Sequence, residues 1–264
     1  MTERKAGKLN QLGRTLPEGL LADAAWMEAH GYSSSLRTQY VAAGWLDQPA
    51  RGTFKRPLGQ LTWQGVVISL QTLLERDLVV GAITALDLQG LTHYVAPSGA
   101  SVVHLYGTKP PPGWLAKLPL RQTFRFHRTP SLFKSIHAAP DQQAGTVRLL
   151  REDERALTVS TPERAFLELL DELPNRQSFH NVDMIAEGLR TLSPRRLNLL
   201  LQDCRSIKVK RLFFWFADRH SPSWLSQIDR KAVDLGNGKR MLVKGGRLDP
   251  TYQITVPEEL SGSI

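Results

Sequence analysis

Residues 20–57, LLADAAWMEAHGYSSSLRTQYVAAGWLDQPARGTFKRP, constrain this chain more than any other stretch, because helix periodicity, turn chemistry and cationic charge coincide in them. Leu21, Ala25 and Glu28 recur at helical spacing and Ala24, Trp26 and Met27 supply an apolar side, which predicts a helix over residues 20–30. Gly31 then ends it, since glycine adopts the left-handed capping conformation without a Cβ penalty. After the short turn at Gly31 and Tyr32, Ser33 or Ser34 offers an N-cap oxygen for a second helix. In that helix Leu36, Tyr40 and Val41 share one face, leaving Ser35, Arg37, Thr38 and Gln39 outside.

Two helices joined in this way read as a helix-turn-helix. Short hydroxyls, an amide and a guanidinium are the groups that hydrogen-bond base edges and phosphates from a helix in the major groove. On this reading Arg37, Thr38 and Gln39 contact bases, while Ser33, Ser34, Ser35 and Tyr40 make mixed base and phosphate contacts. Gly44 stops the helix, Trp45 and Leu46 return an apolar strand to the core, and residues 48–56 read as a hairpin wing whose Arg51, Lys55 and Arg56 grip phosphate. The alternative is an ordinary solvated loop on an unrelated helical bundle. Residues 3–16 repeat Leu9, Leu12 and Leu16 at helical spacing and predict a further helix before this pair.

Charge supports a polyanionic partner. The net charge is +9 and the sequence pI is near 9.9. Within the first sixty residues it is unevenly placed: residues 15–32 hold Glu18, Asp23 and Glu28 and no cation, whereas residues 33–60 hold Arg37, Arg51, Lys55 and Arg56 against Asp47 alone. The lone Cys204 excludes an internal disulfide framework and favours a reducing compartment, and no apolar run reaches the roughly 18 residues of a membrane span. A cytoplasmic protein with no membrane association is expected.

Beyond Leu58 the pattern changes. Helices are predicted over residues 64–75 and 81–89, then strands over 92–95, 101–106, 122–128, 146–150 and 156–160, forming a mixed or antiparallel sheet. Arg121, Arg125 and Arg128 alternate with Phe124 and Phe126, which in a strand turns the aromatics to the core and the arginines to water. Residues 160–163 combine a hydroxyl, a proline at the first helical position and a glutamate, a helix start followed by Ala165, Phe166, Leu169, Leu170 and Leu173 as a buried stripe. Helices follow over about 181–190 and from Ser193, the latter ending at Cys204 on a core face. Residues 207–216 fit a helix through Val209, Leu212, Phe213 and Phe216. Arg205, Lys208, Lys210 and Arg211 at its start are either a solvated helix end or a contact for a partner. Residues 233–243 read as a hairpin and 252–256 as a last strand.

No Walker loop, HExxH, CxxC or GxSxG motif is present, and Gly236-x-Gly238 lacks the third glycine and following helix of a dinucleotide fingerprint. The histidines, at 30, 93, 104, 127, 137, 180 and 220, show no metal-ligand spacing. Neither cofactor nor metal is expected from these features, and no catalytic residue is assigned. Glu152-Asp153-Glu154 and Asp171-Glu172 could seed a metal-dependent nuclease, a minor alternative, since such clusters beside arginines are usually solvated surface.

Several segments together resemble the AbiEi antitoxins of abortive-infection, type IV toxin-antitoxin systems: LPEGLLADAAWMEAHGYSSSLRTQYVAAGWLDQPARGTFKRP, LTWQGVVISLQTLL, VGAITALDLQGLTHYV, STPERAFLELLDELP, SIKVKRLFFWFA and VDLGNGKRMLVKGG. The resemblance implies an α+β fold with a winged helix-turn-helix over residues 1–60 and a larger mixed α/β antitoxin domain over 61–264, sheet-rich to 160 and helix-rich from 161. It further implies binding to inverted repeats in the operon's own promoter, and neutralisation of a nucleotidyltransferase-like toxin. Only the helix at 34–43 and the wing at 51–56 inherit a role from it. The rival expectation is a free-standing winged-helix regulator whose C-terminal domain binds a small molecule.

Overall fold

The computed structural model describes residues 2–92, 101–136, 145–152 and 155–261. The chain opens with α1 (Thr2–Thr15), β1 (Leu21–Asp23), α2 (Ala24–Ala29), α3 (Ser34–Ala42) and β2 (Thr53–Lys55). β1 and β2 pair antiparallel, Leu21 opposite Lys55 and Asp23 opposite Thr53. This is the winged helix-turn-helix, with two corrections. Residues 21–23 are a strand rather than the first turn of α2, because Asp23 caps the helix through its carboxylate on Trp26 N at 2.9 Å. Trp45 is not a core strand residue: it is 45% exposed, and only the bridge between Asp47 and Lys55 continues the wing on that side.

Next come α4 (Trp63–Thr72), β3 (Val79–Val80), α5 (Ala82–Leu88), β4 (Val102–Gly107), β5 (Thr123–Arg128), α6 (Thr129–Leu132), β6 (Val147–Glu152) and β7 (Arg155–Ser160). The strands form one mixed sheet in the order β5-β4-β3-β7-β6. β3 is antiparallel to β4 and parallel to β7, β4 is parallel to β5, and β6 is antiparallel to β7. Most of the strand expected at 92–95 lies outside the described residues, as does most of the 152–154 acidic run. Phe124 and Phe126 do pack on the core.

The last third is helical: α7 (Pro162–Asp171), α8 (Phe179–Gly188), α9 (Pro194–Asp203) and α10 (Ile207–His220), followed by a short ribbon of β8 (Arg247–Asp249) with β9 (Ile254–Val256). α10 is buried from Val209 to Ala217. Full burial of large apolar side chains such as Leu212, Phe213 and Phe216 contributes about 1.5–3 kcal/mol each, so this helix is a principal anchor of the core. α7 is buried all round, and its polar Glu163, Arg164 and Glu168 are enclosed with the apolar stripe. Glu172, at its end, is buried as well, against the expectation of a solvated acidic pair.

The hairpin expected at 233–243 does not form. Three carbonyls there, of Leu235, Gly236 and Gly238, instead turn to the Arg211 guanidinium, which donates to them and to Gln253 O at 2.7–3.3 Å. The guanidinium holds the segment in this looped course, and Arg240 bridges to Ile254 rather than across a turn within 233–243. Among the described residues no helix is long and apolar enough to cross a membrane.

Candidate nucleic-acid interface

α3 is set by its ends. Ser33 caps it through Oγ on Leu36 N at 3.4 Å, and Gly31 precedes it at φ +80, a left-handed conformation that a side chain would strain. Tyr40 fixes the inner face: it is 1% exposed, edge-on to Trp45 with ring centroids 5.3 Å apart. Ser33, Ser34, Ser35, Thr38 and Gln39 are exposed. Thr38 donates its hydroxyl proton to Ser34 O at 3.1 Å, which leaves its lone pairs as acceptors.

Arg37 departs from the expected pattern. It is 9% exposed and points inward, donating from Nη1 to Glu28 Oε2 at 2.7 Å and Tyr32 O at 2.6 Å, with Ala24 O at 3.3 Å. Its guanidinium also lies 5.7 Å from the Phe54 ring centre. Arg37 therefore braces α3 against α2, the turn and the wing, and it does not stand on the outer face. The signal for this was in the sequence: Arg37 lies three and four residues before Tyr40 and Val41, the spacing of one helix face. Tyr40 is likewise a core residue rather than a surface contact, and its hydroxyl has no hydrogen-bond partner among the described residues.

The wing carries its cations in different ways. Thr53 N bonds Ala50 O at 3.0 Å, closing a turn with Gly52 at φ +79, and this leaves Arg51 exposed at the tip. Lys55 is buried, contrary to expectation, because its ammonium donates to the carbonyls of Arg56, Pro57 and Gly59 at 2.8–3.2 Å and pairs with Asp47 at 3.0 Å. Arg56 is half-buried and paired with Glu18 at 2.8 Å. Between α3 and the wing a concave cleft of about 420 Å³ is lined by Ser34, Thr38, Val41, Gln48, Arg51 and Gly52 among others. It offers hydroxyls, an amide and one exposed guanidinium, the donor and acceptor set of a nucleic-acid groove contact.

The second basic group, expected as a partner contact, is used internally. Lys210 and Arg211 are buried; Lys210 donates to Asp234 O at 3.1 Å, and Lys208 to Asp171 O at 2.6 Å and Leu173 O at 2.8 Å. Arg205 is exposed, with Nε on Phe133 O at 3.3 Å. These side chains tie the start of α10 to neighbouring loops. Cys204 is buried, and desolvation raises its thiol pKa to about 11.

Two family models match nearly end to end. Residues 5–97 match the N-terminal domain of a transcriptional regulator described as an AbiEi antitoxin, and residues 100–257 match a transcriptional regulator described as an AbiEi antitoxin of a type IV toxin-antitoxin system. No curated protein sequence matches the chain. Among solved structures, the crystal structure of the RV2827C protein from Mycobacterium tuberculosis superposes with a TM-score of 0.60 over 93% of this chain and 88% of that one, at 14% identity. That likeness is one of fold.

Proposed function

The chain belongs to the AbiEi family of type IV toxin-antitoxin transcriptional regulators, and from that premise we propose that it is a non-enzymatic antitoxin that represses its own operon. The DNA-reading unit is residues 1–60, which bind inverted repeats in the promoter; residues 61–264 neutralise a nucleotidyltransferase-like toxin encoded beside it, in the cytoplasm. The observation that carries the reading is the outward row Ser34, Ser35, Thr38 and Gln39 on α3, flanked across one cleft by Arg51 at the wing tip. The row meets base edges and nearby phosphates, and Arg51 meets backbone phosphate. Arg37, Tyr40 and Lys55 hold the helix and wing in place for those contacts.

Two measurements on the full chain test this. Titration of promoter DNA at rising salt is expected to show log affinity falling with log salt by about 0.9 for each phosphate neutralised. Co-expression is expected to rescue growth of cells carrying the adjacent gene. A flat salt response removes the DNA reading, and a harmless or unrescued neighbour removes the antitoxin reading.

A further inference from the structure

On the β5 edge of the central sheet, far from α3 in sequence, polar side chains gather around two histidines. His104 on β4 and His127 on β5 lie on adjacent parallel strands, offset by two residues and so on the same face, since His127 stands opposite Tyr106. Their rings are parallel to within 7°, and His104 Nδ1 is 3.1 Å from His127 Nε2. Glu172, from the end of α7, brings Oε1 to 3.5 Å from His127 Nδ1. Its side chain is 2% exposed, and Oε2 has no hydrogen-bond partner among the described residues.

We propose that His104, His127 and Glu172 bind a divalent transition-metal ion of the zinc class. One nitrogen from each imidazole and one carboxylate oxygen lie within 4.8 Å of one another. Zinc–nitrogen bonds of about 2.0–2.1 Å at a tetrahedral angle separate two imidazole nitrogens by roughly 3.3 Å, close to the 3.1 Å between His104 Nδ1 and His127 Nε2; Glu172 Oε1 stands nearer the other nitrogen of His127, so the carboxylate swings toward the Nε2 edge to complete the set. Two imidazoles with one carboxylate suit zinc, cobalt or nickel rather than calcium or magnesium, which prefer oxygen. Tyr106 stacks on His127 at 4.5 Å and fixes the ring plane, while its hydroxyl is directed to Glu168 O at 3.4 Å. A fourth ligand comes from solvent past His127, whose side chain keeps 11% exposure.

Opposing charge comes from Arg125, 3.6 Å from Glu172 Oε2, and Arg176, 3.5 Å from Oε1. Both side chains are more than a third exposed, so each can leave the carboxylate for water when the ion enters. Arg164 pairs with Glu168, to which it donates from Nε at 2.8 Å.

The test is titration of untagged, chelator-stripped full-length protein with Zn²⁺, with Co²⁺ as a visible-absorption probe. One ion per chain is expected, with a rise in melting temperature that grows with free zinc. His127→Gln and Glu172→Gln each lower zinc affinity by at least about 100-fold, whereas His180→Gln, at an exposed histidine on α8, leaves it unchanged. Arg176→Gln alters an exposed side chain and removes an opposing charge, so it tightens binding about 3-fold or more at low salt. Absence of uptake, equal uptake by folded His127→Gln and Glu172→Gln, or an Arg176→Gln affinity no tighter than wild type overturns the proposal.

Discussion

The Arg37 guanidinium donates to the Glu28 carboxylate at 2.7 Å and fastens α3 to α2. Arg37→Ala is therefore expected to destabilise the protein by about 2–3 kcal/mol, the loss of charge-assisted hydrogen bonds from a half-enclosed site. Urea unfolding reads this directly. Binding to promoter and unrelated DNA should weaken together, because the variant loosens the whole helix and deletes no base contact.

On the proposed DNA-binding reading, Arg51 and Thr38 divide the interface in a measurable way. Arg51→Ala is expected to weaken every sequence alike and to reduce the salt slope by about one per bound copy. Thr38→Ala is expected to leave the slope intact and to change preference at one base pair by about 1 kcal/mol. Competition binding against operator variants at two salt concentrations separates the two outcomes.

Arg211 gathers four backbone carbonyls around one guanidinium. Removing it deletes a buried side chain and the charged hydrogen bonds that hold the 235–238 loop, so Arg211→Ala is expected to cost about 1.5–3 kcal/mol. The check is a melting curve run beside a toxin-rescue assay. Loss of rescue only in step with loss of folded protein identifies the basic start of α10 as scaffold.

The Cys204 thiol is buried, and burial pushes its pKa up to about 11. At pH 8 it is expected to react with a disulfide reagent orders of magnitude more slowly in the native state than in urea. Above pH 9 the unfolded thiol ionises while the native one does not, so stability falls as pH rises from 9 to 11. Cys204→Ala should flatten that part of the profile.

Much of this architecture was legible from period and punctuation. α3, α5, α7 and four of the sheet strands follow from spacing and caps that local sequence carries. What local sequence does not carry is pairing across distance. β1 reads as helix until β2 is set beside it, β3 is only Val79–Val80, and residues 233–243 read as a hairpin until Arg211 claims their carbonyls. The same holds at the candidate sites. Ser34, Ser35, Thr38, Gln39 and Arg51 are exposed as periodicity and turn chemistry suggest; the helix face of Arg37 is legible beside Tyr40 and Val41 but its partner Glu28 is not, and Lys55 reads as a surface cation until the 56–59 carbonyls are placed. His104 and His127 are 23 residues apart and meet only because β4 and β5 are parallel neighbours.

Gly65, near the start of α4, faces Gly19 so closely that a Cβ would stand 2.5 Å from the Gly19 carbonyl oxygen. Alanine in a helix ordinarily gains up to about 1 kcal/mol over glycine. Here Gly65→Ala is expected to destabilise by about 1–3 kcal/mol, since the neighbour is backbone and cannot yield without moving the loop. Thermal unfolding of the single variant gives the sign.

That close approach is one of several stitches between head and sheet. Leu21 N donates to Ser69 Oγ of α4 at 2.8 Å, Arg155 of β7 donates to Glu18 O, and α4 packs on both β1 and β7. A head seated this firmly does not swing on a tether. Were two copies to sit on one operator, the distance between their reading helices would be a dimension of the protein body, as fixed as the gap of a caliper. Adding half a helical turn of DNA between the repeats would then defeat paired binding outright, where a tethered head would merely stretch to follow.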